Sequence, residues 1–245
     1  MIIQHNISAI NSYRNLGINQ SALSKNLEKL SSGYKINRAG DNAAGLAISE
    51  SMRSQINGLN QASANAKDAI GLIKTAEGAL SEVHSMLQRM TTLAEQAANG
   101  TYNTVARGNI QEEYKALTKE IKRISENADF NGIKPLTTGK EMTMTFQIGP
   151  TSGETITVDK EDIYGKTVTA AMSLKLSVQN DAKNALKTIK TAIDDVSTYR
   201  AKLGAAQNRL EHTVKSLDIM SENITEAESR IRDTDMADEI TAFTK

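Results

Sequence analysis

The chain has 245 residues, of which 39% are hydrophobic and 24% are charged, so it is long and apolar enough to bury a core. The 29 lysine and arginine residues balance the 29 aspartate and glutamate residues. The chain therefore has no net positive charge that would attract a nucleic acid or an anionic membrane surface. The absence of cysteine excludes disulfides and thiolate metal sites. No run approaches the roughly 20 apolar residues that span a bilayer, so we predict neither nucleic-acid binding nor membrane insertion.

The first part of the chain has only a weak apolar stripe. Apolar residues recur there at heptad intervals but are diluted by asparagine and serine. They are Ile2, Ala9, Leu16, Leu23 and Leu30. We expect such a segment to be disordered alone and to become helical only when it packs on partners. Gly33, Gly40 and Gly45 then predict a flexible joint.

A complete heptad seam follows, which predicts a long helix in close contact with partner helices. One row is Leu59, Ala66, Ile73, Leu80, Leu87 and Ala94. Its companion row is Ala62, Ala69, Ala76, Val83, Met90 and Ala97. The alanines let helix axes approach more closely than leucine would.

A second seam begins after Asn99 and Gly100 break the first one. Its members are Ile110, Tyr114, Leu117, Ile121, Ile124 and Ala128. The pattern stops before Asn131 and Gly132, residues that commonly end a helix. The two seams therefore predict a pair of antiparallel helices joined by a short loop.

The middle of the chain changes from a helical period to a period of two. Apolar and polar residues alternate over 141–148, and the alternation resumes at Ile156 and Val158 after a turn that contains Pro150. The sequence therefore predicts a small β-hairpin at 141–160.

The C-terminal arm repeats the heptad pattern at greater length. Its first row is Ala182, Ile189, Val196, Leu203, Leu210, Leu217, Ile224 and Ile231. We assign its companion row to Leu186, Ile193, Arg200, Gln207, Val214, Ser221 and Glu228, which are partly polar. This stripe predicts one helix of roughly 50 residues, about 75 Å long.

Together these patterns predict a mainly α fold, an elongated antiparallel helical bundle or coiled coil with one small β-hairpin. The scarcity of aromatic residues, with no tryptophan and three phenylalanines, suits thin helical layers. The core of the helix seam is predicted to contain Ile73, Leu80, Leu87, Ile121, Val196, Leu203, Leu210 and Leu217.

The two ends of the chain carry different signals. The segment 1–15 lacks the basic-then-apolar order of a secretory signal, so a protein that leaves the cell would use another route. At the other end, an amphipathic stripe runs to the last residues without a capping signal, and we expect a helix that has been cut short. This stripe is Met236, Ile240 and Phe243, shortly before Lys245.

No arrangement of residues indicates catalysis or a bound cofactor. His5, His84 and His212 are scattered, and no pair of them has the spacing of a zinc site. Paired carboxylates such as Glu112 and Glu113 fall on exposed faces of predicted helices, where nothing would separate their pKa values. We therefore predict a protein that is not an enzyme and that holds neither a metal nor a cofactor.

Four stretches of the sequence closely resemble bacterial flagellin. They are Ile3–Ala9, Glu28–Ile48, Arg200–Glu211 and Ala227–Ala237. The resemblance covers both arms and implies a subunit that polymerises helically with copies of itself into the extracellular flagellar filament. It also implies passage through the flagellar type III export apparatus with an export chaperone, and secretion without a cleaved signal peptide.

The resemblance further implies a domain plan. It consists of an N-terminal inner-tube arm and linker at 1–44, a helical rod domain at 45–235, and the start of a C-terminal inner-tube arm at 236–245. Only a short segment separates the two arms, so the large outer domains of many flagellins are expected to be absent and the filament to be thin. Flagellins usually continue beyond the position of Lys245 as an apolar helix that lines the filament core and binds the chaperone.

A last implication is recognition by Toll-like receptor 5. Matching the stretch Leu87–Asn99 and the helix after it gives three receptor contacts, all with the residue types of stimulatory flagellins. They are Arg89, Leu93 and Glu113. Thr91 and Thr92 replace an Arg-Glu pair that is common in strong activators. This replacement removes two charges from the edge of the implied receptor contact. The three contact residues could instead meet a neighbouring subunit.

Two other functions fit the same sequence. A hook-filament junction protein shares the terminal arms but usually has a different central region. A monomeric secreted receptor ligand would use a shortened chain of this kind. Long ordered oligomers on electron micrographs would favour a filament subunit over the ligand.

Overall fold

The computed structural model describes residues 6–137, 143–159 and 174–244. These ranges contain the helices α1 (Ile7–Ser32), α2 (Ala43–Ala98), α3 (Thr104–Asn127), α4 (Gln179–Arg232) and α5 (Met236–Thr244), and the strands β1 (Thr143–Gln147) and β2 (Thr155–Asp159). The predicted mainly α fold with one small hairpin is confirmed. Of the helices described, none is long and apolar enough to cross a membrane.

The chain divides into two compact units. The terminal unit consists of Met1–Asn60 and Asp218–Lys245, and the central unit is Gln61–Leu217. Helices α2 and α4 contribute residues to both units. The domain boundaries predicted at 44 and 235 concern layers of an assembled filament, and they stay predictions.

The heptad pattern of α2 corresponds to a buried face. Every residue of its two predicted rows, from Leu59 to Ala97, is buried. The eight residues predicted for the seam core are also buried, and all of them except Leu217 belong to one apolar cluster with residues of α3, α4 and the hairpin. Since seven residues make nearly two helical turns, a strict heptad keeps one side of each helix against the core.

Polar contacts show that α2 and α3 run antiparallel. The Arg89 guanidinium pairs with Glu113 at 2.7 Å, and Arg107 Nε donates to the Ala97 carbonyl at 2.9 Å. Residue numbers therefore rise along one helix as they fall along the other. Arg107 also donates to the Asn99 carbonyl at 3.0 Å, which satisfies backbone acceptors beyond the end of α2.

Helix α4 also runs antiparallel to α2 in the central unit. Gln179 Nε2 donates to the Ala98 carbonyl at 3.0 Å, and Arg200 lies 3.6 Å from Glu77. Helix α4 is 54 residues long, which confirms the single long helix predicted for the C-terminal arm.

The companion row of α4 lies one position before the row that we predicted. The structure buries Ala185, Ala192, Tyr199 and Ala206. Our prediction was therefore wrong in placing Arg200 and Gln207 in the seam, where both are only half-buried, whereas Leu186 and Ile193 are half-buried and pack against the core at the edge of the stripe. The positions three and four residues after each member of the first row both lie on the side of α4 that faces a partner helix. Alanine at such a position allows the two helix axes to approach most closely.

The two strands form an antiparallel hairpin in the central unit. Met144 lies opposite Val158, and both side chains are buried. Asn65 Nδ2 of α2 donates to the Gln147 carbonyl at 3.2 Å, which attaches the hairpin to the helix. The hairpin predicted at 141–160 is confirmed over β1 and β2. Glu141, Met142 and Lys160 lie outside the described residues, as do Ile2 and Lys245.

The glycines that predicted a joint have separate roles. Gly33 ends α1 in a left-handed conformation (φ 75°), and its N–H donates to the Lys29 carbonyl at 2.8 Å. Gly45 instead lies in the first turn of α2, where an added Cβ would come within 2.8 Å of Ile36 Cδ1. The prediction of a joint at Gly45 is wrong, because its lack of a side chain permits close packing within a helix.

Candidate assembly and partner surfaces

Helix α1 has apolar side chains but no buried residue. Seven of its large apolar residues are exposed, Tyr13 to 80%, and Leu30 is half-buried. The seven exposed residues are Ile7, Ile10, Tyr13, Leu16, Ile18, Leu23 and Leu27. The Asn6 side chain caps the helix by accepting from the Ala9 amide at 3.2 Å. The helix is therefore well capped but has little packing within its own chain. Its predicted disorder in isolation stays a prediction.

Helix α5 lies against α1 in the terminal unit. Lys29 Nζ lies 3.4 Å from a Glu239 carboxylate oxygen across the pair. Helix α5 also leaves its large apolar residues exposed, namely Met236, Ile240 and Phe243. An exposed apolar surface of this extent on two adjoining helices marks an interaction surface.

The segment after α1 is held to the end of α4 by backbone hydrogen bonds. Tyr34 and Asp233 form an antiparallel bridge, the Lys35 amide donates to the Arg232 carbonyl at 2.6 Å, and the Thr234 amide donates to the Gly33 carbonyl at 3.0 Å. The two ends of the chain are thereby joined within the terminal unit.

The Arg232 side chain strengthens this junction. Its guanidinium carbon lies 4.7 Å from the centroid of the Tyr34 ring, and its Nη1 lies 2.8 Å from Glu50 Oε1 of α2. The Arg232 side chain is only 13% exposed. A planar guanidinium can stack on an aromatic ring and bind a carboxylate at the same time. An ammonium group has no plane that could stack. We did not single out Arg232 from the sequence, although it lies in the stretch Ala227–Ala237.

A carboxylate fixes the turn that precedes α2. Asp41 Oδ2 accepts from the Arg38 amide at 3.0 Å and from the Asn37 amide at 3.2 Å. These two bonds, with Arg38 the larger contributor, lower the pKa of Asp41 below its ordinary value, and the charges of Lys25 and Arg38 add to the effect. Asp41 is thus held as an acceptor for the turn.

The structure brings together two of the three predicted receptor contacts. Arg89 and Glu113 form an exposed ion pair on neighbouring helices of the central unit. Leu93, in contrast, is 1% exposed and belongs to the apolar core. Its side chain is unavailable to a partner, so its predicted contact role is not supported. The heptad pattern could have warned of this, because Leu93 lies three residues after Met90 and next to Ala94.

The carboxylates on α3 behave as surface ion pairs. Lys115 Nζ lies 2.7 Å from Glu112, and its hydrogen bond and charge lower the pKa of Glu112. Arg123 similarly lowers the pKa of Glu120, mainly through a side-chain hydrogen bond. A general acid at neutral pH would need a raised carboxyl pKa, so both shifts have the wrong direction for catalysis. In the described ranges, no group of three or more acidic or histidine residues could hold a metal ion.

The bacterial flagellin N-terminal helical region matches residues 3–141, and the bacterial flagellin C-terminal helical region matches residues 186–245. A flagellin of Halalkalibacterium halodurans is 49% identical, over 100% of this chain and 90% of that relative. A flagellin of Bacillus subtilis is 47% identical, over 100% of this chain and 91% of that relative.

Solved structures agree with these relatives. The crystal structure of Bacillus cereus flagellin is 32% identical and has a TM-score of 0.58, over 63% of this chain and 88% of that one. A putative flagellar hook-associated protein from Vibrio parahaemolyticus has a TM-score of 0.66 at 12% identity, over 79% of this chain and 100% of that one. That second likeness shows a shared fold.

The exposed terminal helices and these relatives define the class of the protein as a structural subunit that polymerises with copies of itself. Its family consists of structural proteins rather than enzymes. The chain belongs to the bacterial flagellin family, and it is a structural subunit of the extracellular flagellar filament.

Proposed function

We propose that the chain is exported unfolded by the flagellar type III apparatus and joins the filament by burying the exposed faces of α1 and α5 against neighbouring copies. The observation that carries the proposal is α1, which is 26 residues long and contains no buried residue. A helix gains little from its own hydrogen bonds, so packing on partners must supply most of the free energy that orders it. The absence of cysteine suits unfolded export, because no disulfide would have to be reduced first.

In this proposal the residues 1–44 and 236–245 form the inner tube of the filament, and 45–235 form the next shell. The contact between α1 and α5 and the bridge from Tyr34 to Asp233 support a paired inner layer. Contacts between unlike surfaces of successive copies generate an open helical polymer when they do not close into a ring. An export chaperone would shield the exposed apolar faces before assembly.

The substitution Leu16→Asp tests this proposal. Leu16 is 62% exposed, so the folded monomer should keep its helical circular dichroism and melting temperature. In the filament the new carboxylate would be buried against a neighbour, and we expect the critical concentration for assembly to rise at least about tenfold. Sedimentation with negative-stain microscopy measures the polymer.

The matched control is Asn15→Asp, which adds the same charge at the adjacent exposed polar position. We expect this variant to assemble nearly as the unsubstituted chain does. Equal assembly of the Leu16→Asp and Asn15→Asp variants would contradict burial of the apolar face of α1. If neither variant forms a polymer that sediments, although both monomers fold normally, the result would point to a general sensitivity of assembly to charge along α1.

We also propose that the monomer is a ligand of Toll-like receptor 5. The exposed pair of Arg89 and Glu113 supports this second role, because an arginine held in place by a neighbouring carboxylate offers a defined polar contact. We expect Arg89→Ala to weaken receptor activation about tenfold in a reporter-cell titration. Arg123→Ala, which removes another exposed and paired arginine of the central unit, is the control. Equal loss in both variants would argue against a specific contact.

The junction-protein alternative has weaker support than a filament subunit. Relatives that match this chain over 100% of its length include the flagellar filament 31.3 kDa core protein of Treponema maltophilum, at 44% identity. The monomeric-ligand alternative predicts receptor activation without any polymer. Sedimentation of the unsubstituted chain therefore separates that alternative from filament assembly.

A further inference from the structure

Two surfaces of the terminal unit each carry charges of mainly one sign, although the whole chain has no net charge. The first surface, called the basic groove, carries the cations Lys25, Lys29, Lys35 and Arg230. The second, called the acidic stripe, carries Asp218, Glu222 and Glu226 at every fourth position of α4. Residues four apart share one face of a helix, so the three carboxylates form a row.

Most of the negative charge in the basic groove is already engaged. Asp41 accepts two backbone hydrogen bonds, and Glu239 lies 3.4 Å from Lys29. Lys25 and Lys35 form no ion pair within the part of the chain that the structure describes. Lys25 does contribute to the lowered pKa of Asp41, after the larger effect of the backbone bonds from Arg38 and Asn37. The groove therefore presents a net positive surface.

Two carboxylates of the acidic stripe, Glu222 and Glu226, are available to a partner. Glu226 lies 3.5 Å from Arg230, but both side chains are more than two-thirds exposed, so this pair is weak. Glu222 has no ion pair among the residues in 6–137, 143–159 and 174–244. Ser221 donates to Asn60 Oδ1 at 2.9 Å and thereby fixes the side of α4 on which the stripe lies.

Each surface adds exposed apolar side chains to its charges. Ile48 lines the basic groove and is 49% exposed. Ile219 is 59% exposed and lies one helical turn before Glu222. Apolar contact at the centre with charges around it is the usual arrangement of a protein interface. Both surfaces therefore combine apolar with charged side chains, and their charges have opposite signs.

We propose that the basic groove of one copy receives the acidic stripe of α4 from a neighbouring copy in the filament. The proposal rests on the filament function and specifies one contact between subunits. Each copy carries both surfaces, so the contact joins unlike patches and can repeat without closing. A polyanion such as a nucleic acid would meet the groove but be repelled by the stripe on the same unit, which makes a second copy the better occupant.

Carbodiimide cross-linking of assembled filaments tests this contact on the unsubstituted chain. The reagent converts a carboxylate to an O-acylisourea, and a lysine amine within reach attacks its acyl carbon to form an amide and release a urea. Filaments are assembled from an equal mixture of copies labelled with nitrogen-14 and nitrogen-15. We expect peptides in which Lys25 or Lys35 is joined to Glu222, with the two labels combined in about half of them. Such peptides carrying one label only would overturn the proposal, as would their absence from cross-linked filaments.

Charge reversal provides a second measurement. We expect the double variant Lys25→Glu, Lys35→Glu to raise the critical concentration for assembly about threefold to tenfold, because two attractions become repulsions. Adding Asp218→Lys and Glu222→Lys to the same chain should bring the critical concentration most of the way back to that of the unsubstituted chain. The control Lys187→Glu, Lys190→Glu makes the same change at two exposed lysines of the central unit.

The filament function and the proposed contact would fail in different ways. A chain extended by a flagellin-type C-terminal helix that still forms no filament would overturn both the filament function and the contact. Filaments that form equally well from the Lys25→Glu, Lys35→Glu variant would overturn the contact alone. Loss of assembly without rescue by the reversed stripe would also reject this pairing, provided that circular dichroism shows an intact monomer.

Discussion

Replacing Leu210 with aspartate is expected to lower the free energy of unfolding by about 4 kcal/mol or more. Leu210 is fully buried in the apolar cluster of the central unit. The substitution removes about 2 kcal/mol of apolar burial and places a carboxyl group where no polar partner is available. Urea unfolding followed by circular dichroism measures the change.

The pH dependence of the same variant gives an independent check. Burial disfavours the charged form, so the folded-state pKa of the new carboxyl should exceed its unfolded value of about 3.9. The folded state then binds more protons than the unfolded state, and the destabilisation should grow as pH rises from the unfolded pKa to the folded pKa. The loss should therefore be larger at pH 7 than at pH 4, each measured against the unsubstituted chain.

Asn208→Asp is the matched control for Leu210→Asp. It introduces the same side chain two residues earlier on the exposed side of α4. Its effect should stay within about 0.5 kcal/mol. An unchanged stability for Leu210→Asp would mean that α4 does not contribute this face to the core.

The heptad pattern was sufficient to predict the buried face of α2. Its rows combine leucine, isoleucine and methionine with alanine over many turns, and no competing face of that helix is equally apolar. In α4 the first row was equally clear, but the second was ambiguous. Leu186 and Ile193 are larger than Ala185 and Ala192, yet the alanines are the buried residues. Sequence hydrophobicity favours large side chains, whereas close helix packing buries small ones.

The candidate surfaces were predictable to different degrees. The weak stripe of α1 indicated a helix that depends on partners, and the structure leaves most of its large apolar residues exposed. The junction at Arg232 could not be predicted, because Tyr34, Glu50 and Arg232 come from distant parts of the chain. Only folding brings the ring, the carboxylate and the guanidinium together. Leu93 shows the opposite error, in which a motif match did not reveal burial.

The substitution Tyr199→Ala should lower the free energy of unfolding by about 3–5 kcal/mol, nearly as much as Leu210→Asp. Tyr199 belongs to the buried row that the sequence analysis missed, and it is among the largest fully buried side chains of the described residues. Its hydroxyl also donates to the Pro135 carbonyl at 3.4 Å, in the segment that follows α3. Truncation would leave a cavity between elements that share one core.

The variant Tyr199→Phe separates the ring from the hydroxyl. It keeps the buried ring and removes only the polar contacts, so we expect a loss of about 1 kcal/mol. Thermal and urea unfolding of both variants should give a large loss for alanine and a small one for phenylalanine. Similar losses would show that the polar contacts of the hydroxyl, rather than packing of the ring, hold this part of α4 to the core. A small loss for both would mean that the core closes around the missing ring and that the alanines of the same row supply most of the packing.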